Sequence, residues 1–134
     1  MHKQIFVNLP VKDLSRSKAF FSHLGYSFNP QFTDDKAACL ILGENSYAML
    51  LVREMFATFT NRPVCDAHEC TEMLVALSCN SREHVDELVA KALAQGATPS
   101  GEPQDHGFMY DHGFYDLDGH GWGVFYMTQE TPSA

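Results

Sequence analysis

One order of elements occurs twice along this chain, and that repetition limits the fold more than any other feature. In the first half, Ile5, Val7, Leu9 and Val11 alternate with Phe6, Asn8 and Pro10, the two-residue period of a strand. Asp13 and Ser15 offer N-caps to a helix of about ten residues, whose apolar face of Leu14, Phe20, Phe21 and Leu24 stops at Gly25. Three strands are expected over residues 27–33, 36–42 and 46–53, divided by Asp34-Asp35 and by Gly43-Glu44-Asn45. A short helical stretch near residues 54–59 and an irregular passage over 60–69 lead to the second half.

There the alternation returns in Met73, Val75, Leu77 and Cys79. Ser81 caps a helix in which Val85, Leu88, Val89, Ala92 and Leu93 follow the spacing of one buried face, and Gly96 ends it. Extended pieces over 97–100, 108–117 and 122–128 follow, with a turn at Asp118-Gly119. Both halves share a helix opened by Ser-Arg, at Ser15-Arg16 and Ser81-Arg82, which marks an internal duplication.

The expected fold is therefore α+β, with two tandem βαβββ modules in one domain: module one over 1–59, a linker over 60–69 and module two over 70–134. Each sheet has one face under its helix. Two modules side by side would form a curved, half-open mixed sheet whose other face is a concave pocket. Strand parity puts Phe6, Asn8, Leu74, Ala76, Ser78, Gly123, Phe125 and Met127 on that concave face. Val7, Leu9, Val75, Leu77, Trp122 and Val124 fall under the helices. A collapsed dry core is the competing reading of Phe6, Phe125 and Met127.

Several function classes lose support at this level. The longest apolar runs have strand length, far short of the roughly 20 residues of a bilayer span. The chain enters a strand pattern at Ile5, which leaves no room for a leader, so a cytoplasmic protein is expected. Cys39, Cys65, Cys70 and Cys79 form no CxxC pair and read as reduced thiols. Cys65, His68 and Cys70 match no zinc spacing. A net charge of −8 disfavours nucleic acid and suits cationic or neutral small molecules. No nucleophile elbow, phosphate loop or dinucleotide fingerprint occurs.

Polar candidates crowd the strand over 108–117, where Tyr110, His112 and Phe114 share one parity. An imidazole at His112 can act as acid, base or hydrogen-bond donor; alternatively it is a strand histidine bonded to backbone or to Asp111. Tyr110 and Glu72 complete the catalytic candidates. His23 and His84 read as solvated helix positions, and His120 as part of the closing turn.

The opening strand and helix, Ile5-Phe6-Val7-Asn8-Leu9-Pro10-Val11-Lys12-Asp13-Leu14 with Ser17-Lys18-Ala19-Phe20-Phe21 and Leu24-Gly25-Tyr26, resemble those of the vicinal oxygen chelate superfamily. This is the glyoxalase, bleomycin resistance protein and extradiol dioxygenase group. Gly113-Phe114-Tyr115-Asp116-Leu117-Asp118-Gly119-His120-Gly121-Trp122 resembles its closing hairpin, with Leu117 in place of a proline. The resemblance covers nearly the whole chain and is nearest to small bacterial proteins described as predicted lactoylglutathione lyases. It implies the glyoxalase/bleomycin resistance fold and, commonly, a homodimer. Metal-dependent members hold a divalent ion with one side chain from the first and the last strand of each module. The corresponding positions here carry Phe6, no ligand anywhere over 46–52, Leu74 with Glu72 two residues away, and Gly123.

The expectation is thus a metal-free small-molecule-binding module of the sequestering or resistance type, with no cofactor, no nucleic-acid partner and no membrane. Its ligand would touch Phe6, Asn8, Leu74, His112, Gly123 and Phe125. The alternatives are a glyoxalase-like lyase or other metal-dependent enzyme, and a metal-free acid/base enzyme using His112, Tyr110 or Glu72.

Overall fold

A computed structural model describes residues 1–128. The chain divides into two compact units, Met1–Asp66 and a second that begins at Ala67.

In unit one, β1 (Ile5–Val11) leads into α1 (Leu14–His23), followed by β2 (Phe28–Asn29), β3 (Ala37–Ile41), β4 (Ser46–Val52) and a short α2 (Arg53–Ala57). The Asp13 side chain caps α1 by accepting from the Arg16 N–H at 3.1 Å, and Gly25 leaves the helix with φ of 103°, a conformation that favours glycine. The sheet runs β1-β4-β3-β2, with β1 and β4 parallel and the other pairs antiparallel. Leu9, Val11, Ala48 and Leu50 of the sheet and Phe20 and Phe21 of α1 are buried in the unit's core.

The strand expected over 27–33 stops after Asn29. Pro30 has no N–H to give a ladder, the Asn29 side chain accepts from Gln31 N–H at 3.0 Å, and Thr33 Oγ1 donates to Asn29 O at 2.7 Å. These local bonds close a 3-10 turn over Pro30–Phe32 in place of extended chain.

Unit two repeats the order with β5 (Leu74–Ser78), α3 (Arg82–Ala94), β6 (Thr98–Pro99), β7 (Gln104–Asp105), β8 (Met109–Tyr115) and β9 (Gly121–Met127). Ser81 caps α3 through the His84 N–H at 3.0 Å. The sheet order is β5-β9-β8-β6, with β7 also paired to β8. The module's second strand is thus broken in two by residues 100–103, where Gly101 takes φ of 129° and Pro103 lacks a donor. Val85, Leu88, Val89 and Ala92 of α3 are buried, as are Phe114, Trp122 and Val124 of the sheet. Leu93, expected on the buried helix face, is 38% exposed.

The closing hairpin is held by a buried carboxylate. Asp116, 5% exposed, accepts from the N–H groups of Asp118 at 2.9 Å and His120 at 3.0 Å, and from the Trp122 indole at 2.8 Å. Burial pushes its carboxyl above the ordinary range, opposed by His120 and by these three donors. Gly119, with φ of 84°, lets the turn lie against residues 67 and 68; a Cβ there would fall 2.7 Å from His68 N. The Asp-to-Trp spacing of the hairpin is therefore a fold device, with the aspartate as its centre.

Candidate functional site

Register across β5, β9 and β8 sorts the second sheet into two faces. Directly paired residues form the rows Val75–Trp122–Phe114 and Leu77–Val124–His112, which lie under α3. The other face carries the rows Leu74–Gly121–Tyr115, Ala76–Gly123–Gly113 and Ser78–Phe125–Asp111. Leu74 is 67% exposed, so this second face is open. It bears two adjoining clefts of about 370 and 410 Å³, both bordered by Ala76, Asp111, His112 and Gly123. Phe125, Met109 and Met127 give the larger one apolar walls, while Ser100, Glu102 and Gln104 overhang the smaller.

His112 borders both clefts, but its place in the strand turns its side chain away from the face of Leu74, Gly123 and Phe125. It sits opposite buried Val124, in step with Tyr110 and Phe114, and its Nε2–H donates to Gly101 O at 3.0 Å. A carbonyl can only accept, so Nε2 carries the proton and Nδ1 is left as a buried acceptor with no partner among the described residues. The parity of β8 was readable, but its register against β9 was not. Phe114 was the missed signal, because a buried aromatic two residues along marks the core side of a strand.

Tyr110 also faces α3: its hydroxyl donates to Asp86 Oδ1 at 2.6 Å, which raises the phenol above its usual range, and Arg82 lies 5.3 Å from the ring centre. Glu72 is exposed, ahead of β5. On the open face the acidic side chain is Asp111, whose Oδ2 accepts from His106 Nε2 at 3.0 Å. The sequence reading took Asp111 only as a partner for His112 and missed Ser100, Glu102 and Gln104 as site residues; Gly101 and Pro103, which break the strand, were the one visible sign of those three.

In unit one, Phe6 is 43% exposed and stacks on Tyr47, its partner in β4, with ring centres 4.8 Å apart and 19° between planes. Asn8 is exposed beside Met49.

The resemblance implies a divalent metal, and the residues present do not fit one. Phe6 offers a ring already stacked on Tyr47, Leu74 an aliphatic chain and Gly123 no side chain. The β4 residues opposite Phe6 and Asn8 are Tyr47 and Met49, and hard or borderline cations need several converging N or O ligands. Among the described residues no three His, Cys, Asp or Glu side chains gather where they could hold an ion. Nor is any described helix long and apolar enough to cross a membrane.

Residues 3–43 match the bleomycin resistance protein-like N-terminal family. No curated protein matches the chain in sequence. Among solved structures, hypothetical protein SA1046 from S. aureus is 29% identical with a TM-score of 0.79, covering 94% of this chain and 95% of that one. A glyoxalase/bleomycin resistance protein/dioxygenase family enzyme from Burkholderia phytofirmans PsJN is 19% identical at a TM-score of 0.75, over 91% and 96% of the two chains. The fosfomycin resistance protein FosX from Listeria monocytogenes is 21% identical at 0.70, over 98% and 96%. Nothing in these likenesses narrows the chain to the lactoylglutathione lyases. The family match over residues 3–43, together with the fold shared with these structures, supports placing this chain in the vicinal oxygen chelate superfamily, the glyoxalase, bleomycin resistance and dioxygenase group.

Proposed function

We propose that this protein is a metal-free small-molecule-binding module of the sequestering or resistance type, with its ligand on the open face of unit two. The observation that carries the reading is the pair of adjoining clefts at Gly123, where a metal-dependent relative would place a ligating side chain. Apolar walls with a few polar groups suit binding by burial, with orientation set by hydrogen bonds. Leu74, Gly123 and Phe125 remain the contact residues of this proposal, joined by Asp111, and Phe6 and Asn8 offer a second, aromatic open face in unit one.

An acid/base enzyme built on Tyr110, His112 and Glu72 finds less support, since the first two are committed to Asp86 and Gly101 on the face under α3. A homodimer fits exposed Leu74, Phe108 and Ile5 and the edge strands of each sheet, and light scattering should return the mass of two chains. The reading is tested by a thermal-shift screen of small molecules against the parent and Gly123→Trp. A ligand that stabilises the parent should fail to stabilise the folded variant; equal stabilisation of both would put the site elsewhere.

A further inference from the structure

Resting on the metal-free binding reading, we infer that the open face of unit two selects flat, conjugated cations, and that Gly123 is the residue that makes it selective. The middle row of this face, Ala76–Gly123–Gly113, carries one methyl group over three strands. The rows on either side carry Leu74 and Tyr115, and Phe125 and Asp111. With strands about 4.8 Å apart, the row is a floor of bare backbone roughly 10 Å long, and the flanking rows lie about 7 Å away along the strands. A planar ring system can lie on such a floor at van der Waals distance; a bulky aliphatic one cannot.

The two glycines of the floor have different reasons to be there. A Cβ at Gly113 would fall 2.7 Å from Trp122 O and 2.9 Å from Ser100 Oγ, so packing demands glycine. A Cβ at Gly123 would meet nothing closer than 4.0 Å, and its backbone is outside the left-handed region. Packing and conformation both allow a side chain at Gly123. Glycine in a strand interior weakens the strand, so the missing side chain answers to the space above it.

Charge names the ligand's other property. Among the described residues, the charged side chains lining the smaller cleft are Glu102 and Asp111, and neither lysine nor arginine lines either cleft. Arg82, on β8's other side, is bound to Asp105 Oδ2 at 2.6 Å and to Gly107 O at 3.2 Å. Asp111 Oδ2 accepts from His106 Nε2 at 3.0 Å, and Glu102 stands at the overhanging loop. A flat ligand seated on Gly123 thus meets carboxylates at the β8 end, which favours an amine, amidine or quaternary nitrogen there.

The test uses fluorescence polarisation with acridine orange, a flat cation, and competition by anthraquinone-2-sulfonate, a flat anion, with the full chain at low salt. The parent should bind the dye and resist the anion. Gly123→Leu should weaken dye binding at least about tenfold, and Asp111→Asn with Glu102→Gln by about tenfold with a flatter salt dependence. Gly123→Ala should melt at or above the parent temperature, since nothing opposes its methyl group. Equal binding of the anion, full dye binding by Gly123→Leu, or a Gly123→Ala protein that melts several degrees lower would overturn the inference. If the parent ignores the dye yet binds a neutral or anionic ligand that Gly123→Trp excludes, the cationic class falls and the binding reading stands.

Discussion

The two faces of the β5-β9-β8 sheet are made by alternate residues of the same strands, yet they are built on opposite rules. Under α3 the positions are filled by Trp122, Val124 and Phe114, all at 2% exposure or less. On the other side the residues between them are Gly121, Gly123 and Gly113. A strand that must bury one face cannot slip by a residue without reversing both, so the core side fixes where the bare side lies. The lesson is that this sheet's stability is concentrated on one face, leaving the other free to be shaped by something outside the fold.

The sharpest way to break that division is to place alanine at one position on each side. Phe114→Ala, which empties a buried site, should cost about 3–5 kcal/mol. Gly123→Ala, adding the same methyl group to the bare face, should cost nothing and gain up to about 1 kcal/mol. Urea denaturation of both variants checks the pair; similar losses would erase the distinction between the faces.

Next in size is Asp116→Asn. An asparagine can keep the backbone donors of Asp118 and His120 on its oxygen, but its NH₂ then confronts the Trp122 indole N–H. An unmet buried donor makes the expected loss about 1–3 kcal/mol. The pH dependence has a definite sign. Burial raises the folded-state carboxyl above the unfolded value of 3.8, so the folded state holds this proton more tightly. Asp116's share of stability is then greatest below that unfolded value and declines as pH rises through the folded one. The gap between parent and Asp116→Asn should narrow over that window in denaturation curves taken at successive pH values.

The smallest effect expected is at His112. Removing the ring in His112→Ala loses one bond to Gly101 O but also removes an unpartnered buried acceptor, leaving a net change of about 1 kcal/mol or less. A much larger loss in thermal melts would mean that His112 belongs with the core residues Val124 and Phe114 in energy as well as in place.

Element order, helix caps and glycine stops were legible because each is a local matter: Asp13 and Ser81 act within one turn, and Gly25 announces itself by lacking a Cβ. The apolar alternation of Trp122 and Val124 likewise named its buried face. What the sequence withheld depends on partners far away in the chain. Pairing between β8 and β9 decides that His112 lies opposite Val124 and Asp111 opposite Phe125, and no local pattern states that register. Gln104–Asp105, two polar residues without periodicity, pair as β7 only because β8 lies alongside.

The central claim is that the bare face binds a small molecule without a metal, and metal analysis of protein purified without chelators tests it most directly, paired with a melting curve in EDTA. The account predicts substoichiometric zinc, nickel, iron and manganese and an unchanged melting temperature, because a metal bound only to the folded state would add stability that a chelator removes. One equivalent of any of these metals per chain, with a melting temperature that drops in EDTA, would contradict it.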